Sequence, residues 1–399
     1  LALATRQARD AENELTFSSI AGNLILLGLV GFIDPPREEA IASVRDCRTA
    51  GIRVMMITGD HAATAAEIAR QMALDDAPRV LTGHDIDAMN DAELEAAVRE
   101  ASVFARTTPE HKLRIVDALQ RQGLVVAMTG DGINDAPALR RAAVGVAMGG
   151  SGTEAARESA EMILLDDNFA SIVAAVREGR TVYDNLMKVI AWTLPTNGGE
   201  AATILGAMLL GFALPITPIQ ILWINLVTVV ALGLTLAFEA TEPGTMQRMP
   251  RSSSAPILDA DLVWRIVFVS FLFVIGTFGM FFWASNRGSS LEEARTLVVN
   301  TLVVLEIFYL FSVRFVYETS LTWRGLAGTR AVIIGVAVVV VAQLVFTYLP
   351  FMQGVFETRA LSLPDVFAIV GVGMLLLVIT ETEKLVRRQL KRGKVAPRS

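Results

Sequence analysis

The chain has 399 residues, 53% of them hydrophobic and 19% charged, with a formal net charge of -6 at pH 7. The acidic balance excludes a broad basic surface for nucleic acid, and the apolar excess, concentrated in the second half, excludes an ordinary globular domain over the whole length. The single cysteine, Cys47, excludes an intrachain disulfide and suits a reducing compartment.

Leu1–Asp10 is polar and helical in character, so no cleavable signal peptide is legible there, and the opening without Met reads as a piece of something longer. Up to Arg180, short apolar runs alternate with charged segments. Leu24–Ile33, Ile52–Ile57, Ser102–Ala105, Leu124–Met128 and Val144–Met148 are short, apolar and β-branched, the pattern of strands covered on both faces. Helices are expected from Pro36 to Gly51 and from Pro109 to Gly123, each with proline at its entry and glycine at its stop. This alternating order implies a parallel sheet, whose ligands collect at the carboxyl ends of the strands.

Two of those ends are alike, Thr58-Gly59-Asp60 and Thr129-Gly130-Asp131. Glycine lets the backbone turn sharply, so the following Asp points back across the strand ends; a lone Asp there serves equally well as a helix cap. The longer run TGDGINDAPAL (Thr129–Leu139) is more specific. Asp131 and Asp135, with Asn134 between them, suit a hard, oxygen-seeking cation such as Mg²⁺. Lys112 alone reads as a solvated surface lysine, and only its company argues for more. Carboxylates for Mg²⁺, a lysine and backbone amides on glycine-rich turns are the parts of phosphoryl transfer, a chemistry of positioning and neutralising negative oxygens.

After Arg180 come six long apolar stretches, Val189–Phe212, Ile219–Phe238, Val263–Ala284, Leu297–Val313, Ala331–Leu349 and Leu363–Ile379. Each is long enough, or nearly so, to cross about 30 Å of hydrocarbon as a helix. Arg248, Arg251, Arg314, Arg324 and Arg330 fall in alternate loops, and Lys384, Arg387, Arg388, Lys391, Arg392 and Lys394 in the tail, whereas the other loops offer only Arg287, Arg295 and Arg359. By the positive-inside rule the tail and the first half are cytoplasmic. Polar residues inside the stretches carry the interest, since each is costly away from partners or water. Asn197 and Glu200 share one helical face, as do Asn225 and Thr228 on the next stretch. Asn and Thr could be interhelical glue, a reading that is weaker for Glu200.

These residues resemble the P-type cation-transporting ATPases. The resemblance rests on DPPR (Asp34–Arg37), MITGD (Met56–Asp60), ARTTPEHK (Ala105–Lys112), TGDGINDAPAL (Thr129–Leu139), DDNFASIV (Asp166–Val173), NGGE (Asn197–Glu200) and ILWINLVT (Ile221–Thr228). It implies an α/β haloacid-dehalogenase-like phosphorylation domain followed by an all-α membrane bundle of six transmembrane helices, family helices five to ten. The implied boundaries are 1–19 for the end of a nucleotide-binding domain and hinge, 20–180 for the phosphorylation domain and 181–399 for the membrane domain.

Carried over, the resemblance makes Asp131 a Mg²⁺ ligand with Asp135 and Asn134 beside it. Lys112 would neutralise phosphate, and Thr58 and Gly59 would bind phosphate oxygens. Asp60 would lie near the nucleotide, Arg106 would touch ATP, and Asp34 with Arg37 would sit at the hinge. Asn197, Glu200, Asn225 and Thr228 would hold the transported cation. The family's phosphorylated D-K-T-G-T is absent, as are its T-G-E, K-G-A-P-E and P-E-G-L segments, so the chain reads as a carboxyl-terminal part whose amino-terminal partner is missing.

One position departs from the family. After NLVT the calcium and sodium/potassium pumps have Asp, and here stands Val229. Glu306 could replace that charge, or it could face a cytoplasm-side crevice or pair with Arg314; Glu239 reads as interfacial. The expected function is a cation pump in the plasma (inner) membrane, with Ca²⁺ first and Na⁺ or K⁺ as rivals. A membrane-anchored haloacid-dehalogenase-like phosphatase would need its own nucleophile, for which only Asp34 offers itself, without the D-x-[DT] spacing. A non-catalytic ligand-binding module would leave Lys112, Asp131 and Asp135 unexplained.

Overall fold

The structure is a computed structural model that describes residues 2–6, 24–31, 35–252, 254–314 and 328–395. Asp34 and Arg324 lie outside the described residues, as does most of the expected end of a nucleotide-binding domain. The chain divides into two compact units, Leu1–Arg48 with Ile52–Ser171, and Thr49–Gly51 with Ile172–Ser399.

In the first unit, β1 (Ala2–Thr5) pairs antiparallel with β2 (Ile25–Leu29). There follow α1 (Glu38–Thr49), β3 (Met56–Thr58), α2 (Ala62–Gln71), β4 (Val80–Thr82), α3 (Gly83–Ala88), α4 (Asp91–Ala97), β5 (Val103–Ala105) and α5 (Pro109–Arg121). Next come β6 (Ala127–Gly130), a 3₁₀ turn (Ile133–Asp135), α6 (Ala136–Arg141), β7 (Val144–Met148), α7 (Glu154–Ser159) and β8 (Met162–Leu164). The strands form two parallel sheets, ordered β3-β5-β4 and β6-β7-β8.

Helix α5 serves both sheets. It starts where Thr108 and His111 cap each other reciprocally and Pro109 opens the first turn. Its Ile115 packs with Leu81, Ile86 and Phe104, while the adjacent Val116 packs with Met128, Leu139 and Ala147. Ile57 of β3 reaches both clusters, so the edge strands β3 and β6 lie near each other with no ladder joining them among the described residues.

The expected first strand does not belong to a parallel sheet. β2 is short and mostly exposed, and among the described residues it pairs only with the antiparallel β1. Ile52–Met55 carry no strand, and β4 and β8, three residues each, were too short to show a pattern in the sequence.

The second unit is helical. Helix α8 (Phe169–Leu210) is followed by α9 (Pro218–Ala237), α10 (Ala260–Asn286), α11 (Leu291–Val313), α12 (Arg330–Tyr348), α13 (Pro350–Phe356) and α14 (Leu363–Val395). Among the described residues five helices are long and apolar enough to cross a membrane: α9, α10, α11, α12 and Leu363–Leu390 of α14. These match five of the six expected stretches. The first stretch lies in α8, where Thr193, Pro195, Asn197, Gly198, Gly199 and Glu200 dilute its apolar character.

Those interruptions have structural work. Pro195 has no N–H to offer the carbonyl of Ala191 one turn earlier, and the Tyr309 hydroxyl donates to that carbonyl instead at 2.8 Å. A Cβ at Gly199 would sit 2.6 Å from the Cβ of Phe273, so only glycine admits α10 this closely. Helix α11 is the most enclosed of the spanning helices and contributes Leu302, Leu305 and Tyr309 to a core with Trp192, Phe273 and Phe346.

Arg314, at the end of α11, pairs with Glu239 at 2.6 Å, and both are buried. Glu239, expected at a helix end, is thus paired inside the protein, and the partner of Arg314 is Glu239 rather than Glu306. Removing one member of a buried pair strands the other charge. Arg314→Ala is therefore expected to destabilise the helical unit by about 3–5 kcal/mol, measured as a lowered unfolding midpoint in detergent, with Arg314→Ala/Glu239→Ala recovering part of the loss.

Candidate functional sites

The parallel ladders bring the carboxyl ends of β3 and β5 together. Asp60 accepts a hydrogen bond from the Thr58 hydroxyl at 3.0 Å, and Thr58 Oγ1 accepts from the Asp60 N–H at 3.1 Å, closing the turn. Gly59 and Asp60 are exposed, with open space around Gly59. Arg106 donates its N–H to the Asp60 carbonyl and adopts φ +53°, a left-handed conformation that a side chain makes strained. The turn after β5 thus holds the turn after β3.

The end of β6 is organised around Asp135. Its Oδ2 accepts from the N–H groups of Asp131 (3.2 Å) and Gly132 (3.1 Å), and its Oδ1 accepts from Lys112 Nζ at 2.5 Å. A Cβ on Gly130 would fall 2.5 Å from the Asp135 Cβ, so glycine is what lets the turn fold over this carboxylate. Lys112 is placed by the first turn of α5, and the pair is largely buried. Asp131 and Asn134 are exposed, and the Asp131 carboxylate accepts no hydrogen bond from the described residues.

This geometry divides the two carboxylates. Asp131 fits a hard cation, whereas Asp135 spends both oxygens on Lys112 and the turn, so it enters as the lysine's partner rather than as an open metal ligand. Among the described residues no group of three or more His, Cys, Asp and Glu gathers around one point. Oxygens from substrate or water would have to complete a Mg²⁺ shell. Arg37 is exposed at the entry to α1, and no contact joins it to Lys112 or Asp131 among the described residues.

Asp167 went unassigned in the sequence, although its motif stood out. Its carboxylate accepts from the N–H groups of Gly150 (3.0 Å) and Ser151 (2.7 Å), which hold its pKa below the ordinary carboxylate value. It thereby fixes the glycine turn after β7. Two glycines before a serine, with an acid pair downstream, were the available signal.

In the helical unit the predicted residues separate. Glu200 on α8 is buried and accepts from Asn225 Nδ2 on α9 at 2.8 Å. Glu306 on α11 is buried and lies against Glu200 and the Thr228 hydroxyl. One oxygen of each carboxylate, Glu200 Oε1 and Glu306 Oε2, is buried without a hydrogen-bond partner. Asn197, about 60° around α8 from Glu200, is exposed instead and is not part of this group. Immediately after Thr228 the α9 backbone widens into a π turn, Val229–Gly233, a distortion that frees carbonyls and recurs at functional positions. Trp192, unnoticed in the sequence, donates its indole N–H to the Glu306 carbonyl at 3.1 Å and fixes α11 against α8.

Two buried carboxylates side by side, each with an unpartnered oxygen, are stable only if protons or a cation occupy the space between them. A carboxyl site at strand ends and a carboxylate pair inside a helical unit therefore occur in one chain.

Comparison with known proteins supports the same division. Residues 3–143 match the family described as haloacid dehalogenase-like hydrolase, and residues 213–386 match the one described as cation transporting ATPase, C-terminus. The chain is 50% identical over 375 residues to probable cation-transporting ATPase F of Mycobacterium tuberculosis, covering 92% of this chain and 41% of that protein. It is 46% identical to cation-transporting ATPase pma1 of Synechocystis, covering 91% and 41%. With a calcium-transporting ATPase of Bacillus subtilis the identity is 38%, covering 92% and 41%. The chain thus spans about two fifths of the length of these relatives. With its five apolar helices it is a multi-pass membrane protein that joins a haloacid-dehalogenase-like domain to a helical domain, and it belongs to the P-type cation-transporting ATPases.

Proposed function

We propose that these residues form part of an ATP-driven pump that moves a cation across a membrane through an aspartyl-phosphate, with Ca²⁺ as its ion. The observation that carries this reading is the buried Glu200–Glu306 pair with its two unpartnered oxygens, in the same chain as Lys112, Asp131 and Asp135. Relatives named calcium-transporting ATPases support the choice of ion. A second reading, Na⁺ or K⁺, is favoured by Val229, which leaves the site one carboxylate short of the family's calcium and sodium/potassium pumps.

In this reading residues 20–180 are the phosphorylation domain, and 181–399 the membrane domain. Asp131 holds Mg²⁺, which when bound neutralises phosphate charge. Lys112, kept in place by Asp135, offsets the remaining negative charge on the transferred group. Thr58 and Gly59 take phosphate oxygens, while Asp60, Arg106 and, near the hinge, Asp34 and Arg37 lie toward ATP. Asn134 lines the same turn. The acceptor Asp comes from a part of the polypeptide outside these 399 residues. The two unpaired edges β3 and β6 support this, since a strand carrying the acceptor could ladder with both and bring it beside Lys112 and Asp131. The basic tail and loops orient the first half and the tail to the cytoplasm of a plasma membrane.

Acid-quench labelling with γ-³²P-ATP and Mg²⁺ tests the assignment. The complete polypeptide is expected to retain ion-dependent, acid-stable label and this chain alone none. Stoichiometric labelling of this chain would put the nucleophile within it and overturn the reading.

A further inference from the structure

We infer that a cavity at the basic end of the helical unit is a binding site for the headgroup of an anionic phospholipid. The cavity, of about 1230 Å³, lies among α8, the segment before α10, the first turns of α10 and the last turns of α14. It is unrelated to the carboxylate pair or to the phosphoryl-transfer residues.

Its charges do not cancel. Every carboxylate on the wall is already engaged, three of them with arginines of the same wall. Asp184 pairs with Arg248, Asp259 caps α10 through the Leu262 N–H, and Asp261 and Glu383 both pair with Arg387 at 2.9 and 2.7 Å. Arg180 is spent on the carbonyls of Ala50, Thr245 and Arg248, and three further arginines remain. Arg251 donates to the Ala255 carbonyl and lies over the Tyr183 ring, 5.0 Å from its centre. Arg265 donates to the Tyr309 hydroxyl at 3.0 Å and to Ser312 Oγ at 3.2 Å. Arg388 has a buried Nη2 with no hydrogen-bond partner. None of the three is paired with a carboxylate among the described residues. A guanidinium nitrogen left dry and unpaired beside two further cations calls for a multivalent oxygen anion, and a phosphate diester presents one.

The surroundings select the lipid-borne form of that anion. Met187, Ile257 and Leu262 line the same cavity, so its wall is apolar where the arginines are not. On α10, Val263, Val267 and Phe271 are exposed at four-residue spacing and form an apolar stripe leading away from the cavity. Trp264 stacks on Phe268, donates to Glu383 at 3.1 Å and marks the depth at which a helix leaves hydrocarbon. A headgroup phosphate within reach of Arg251, Arg265 and Arg388 therefore has a surface for its acyl chains. Basic pockets between membrane helices have this recognition chemistry in general.

Native mass spectrometry of the complete polypeptide in mild detergent tests the site, with added dioleoyl phosphatidylglycerol or dioleoyl phosphatidylcholine. One phosphatidylglycerol is expected to survive activation, with occupancy about tenfold above that of phosphatidylcholine, and Arg251→Gln and Arg388→Gln should each lower it about fivefold. Arg251→Lys should restore most of the retention, while Arg359→Gln, away from the cavity, should leave it unchanged. Equal retention of the two lipids by the wild-type protein overturns the proposal without recourse to any variant, as does full retention in Arg251→Gln/Arg388→Gln. Displacement of the lipid by millimolar glycerol 3-phosphate or inorganic phosphate would assign the arginines to a soluble anion and refute the lipid as ligand.

Discussion

Lys112→Ala in the complete polypeptide is expected to lower the rate of phosphoenzyme formation by about 10²–10³-fold, the loss found when one preorganised donor to a developing oxyanion is removed. The ammonium sits at 2.5 Å from Asp135 Oδ1, on a helix whose first turn is fixed by a reciprocal cap. Deleting it leaves the negative oxygens of ATP uncompensated. The fold should survive, because Asp135 Oδ2 still accepts from the N–H groups of Asp131 and Gly132. Asp131→Asn should be as damaging by a different route, since it removes the open carboxylate while leaving the Asp135 turn intact. Lys112→Arg is not expected to rescue, because the planar guanidinium cannot occupy the space of a compact ammonium held against one oxygen. Acid-quenched labelling over a time course measures each rate, with membrane insertion as the control for folding. Wild-type rates in either variant would remove that residue from the reaction.

The second large effect is expected in the helical unit. If Glu200 and Glu306 hold the transported ion, Glu200→Gln should raise the ion concentration for half-maximal ATPase activation at least about tenfold, because carboxylate count sets the affinity of an oxygen site for a divalent cation. Asn225→Ala should act in the same direction and more weakly, since it orients Glu200 through one hydrogen bond. Val229→Asp separates the two ion readings. For a site reduced to one divalent ion, the added carboxylate at the π turn should raise divalent affinity or capacity. For a monovalent site it should impair transport, being an extra charge at membrane depth. ATPase activity of the complete polypeptide is measured across Ca²⁺, Mn²⁺, Na⁺ and K⁺. An activation profile of Glu200→Gln unchanged for every cation would refute the site whichever ion is carried.

The sequence by itself determined the division into an α/β part and an apolar helical part, the two Thr-Gly-Asp turns and the helix bearing Lys112. Each is written in local chemistry: proline and a reciprocal cap at the start of α5, glycine where the backbone must pass over Asp135, unbroken apolar runs where helices meet hydrocarbon. Only the tertiary structure decided how the acids are shared. Asp131 and Asp135 are equivalent in spacing, and the reach of Lys112 makes one a partner and leaves the other open. Asn197 and Glu200 share a face by helical periodicity, yet a 60° difference around α8 is enough for packing to bury one and expose the other. Arg314 was a candidate partner for Glu306 in the sequence, and its burial against Glu239 leaves Glu306 beside Glu200 instead. Pairings between residues more than a hundred positions apart leave no trace in periodicity, because periodicity records which face a residue is on and not what the fold brings to that face.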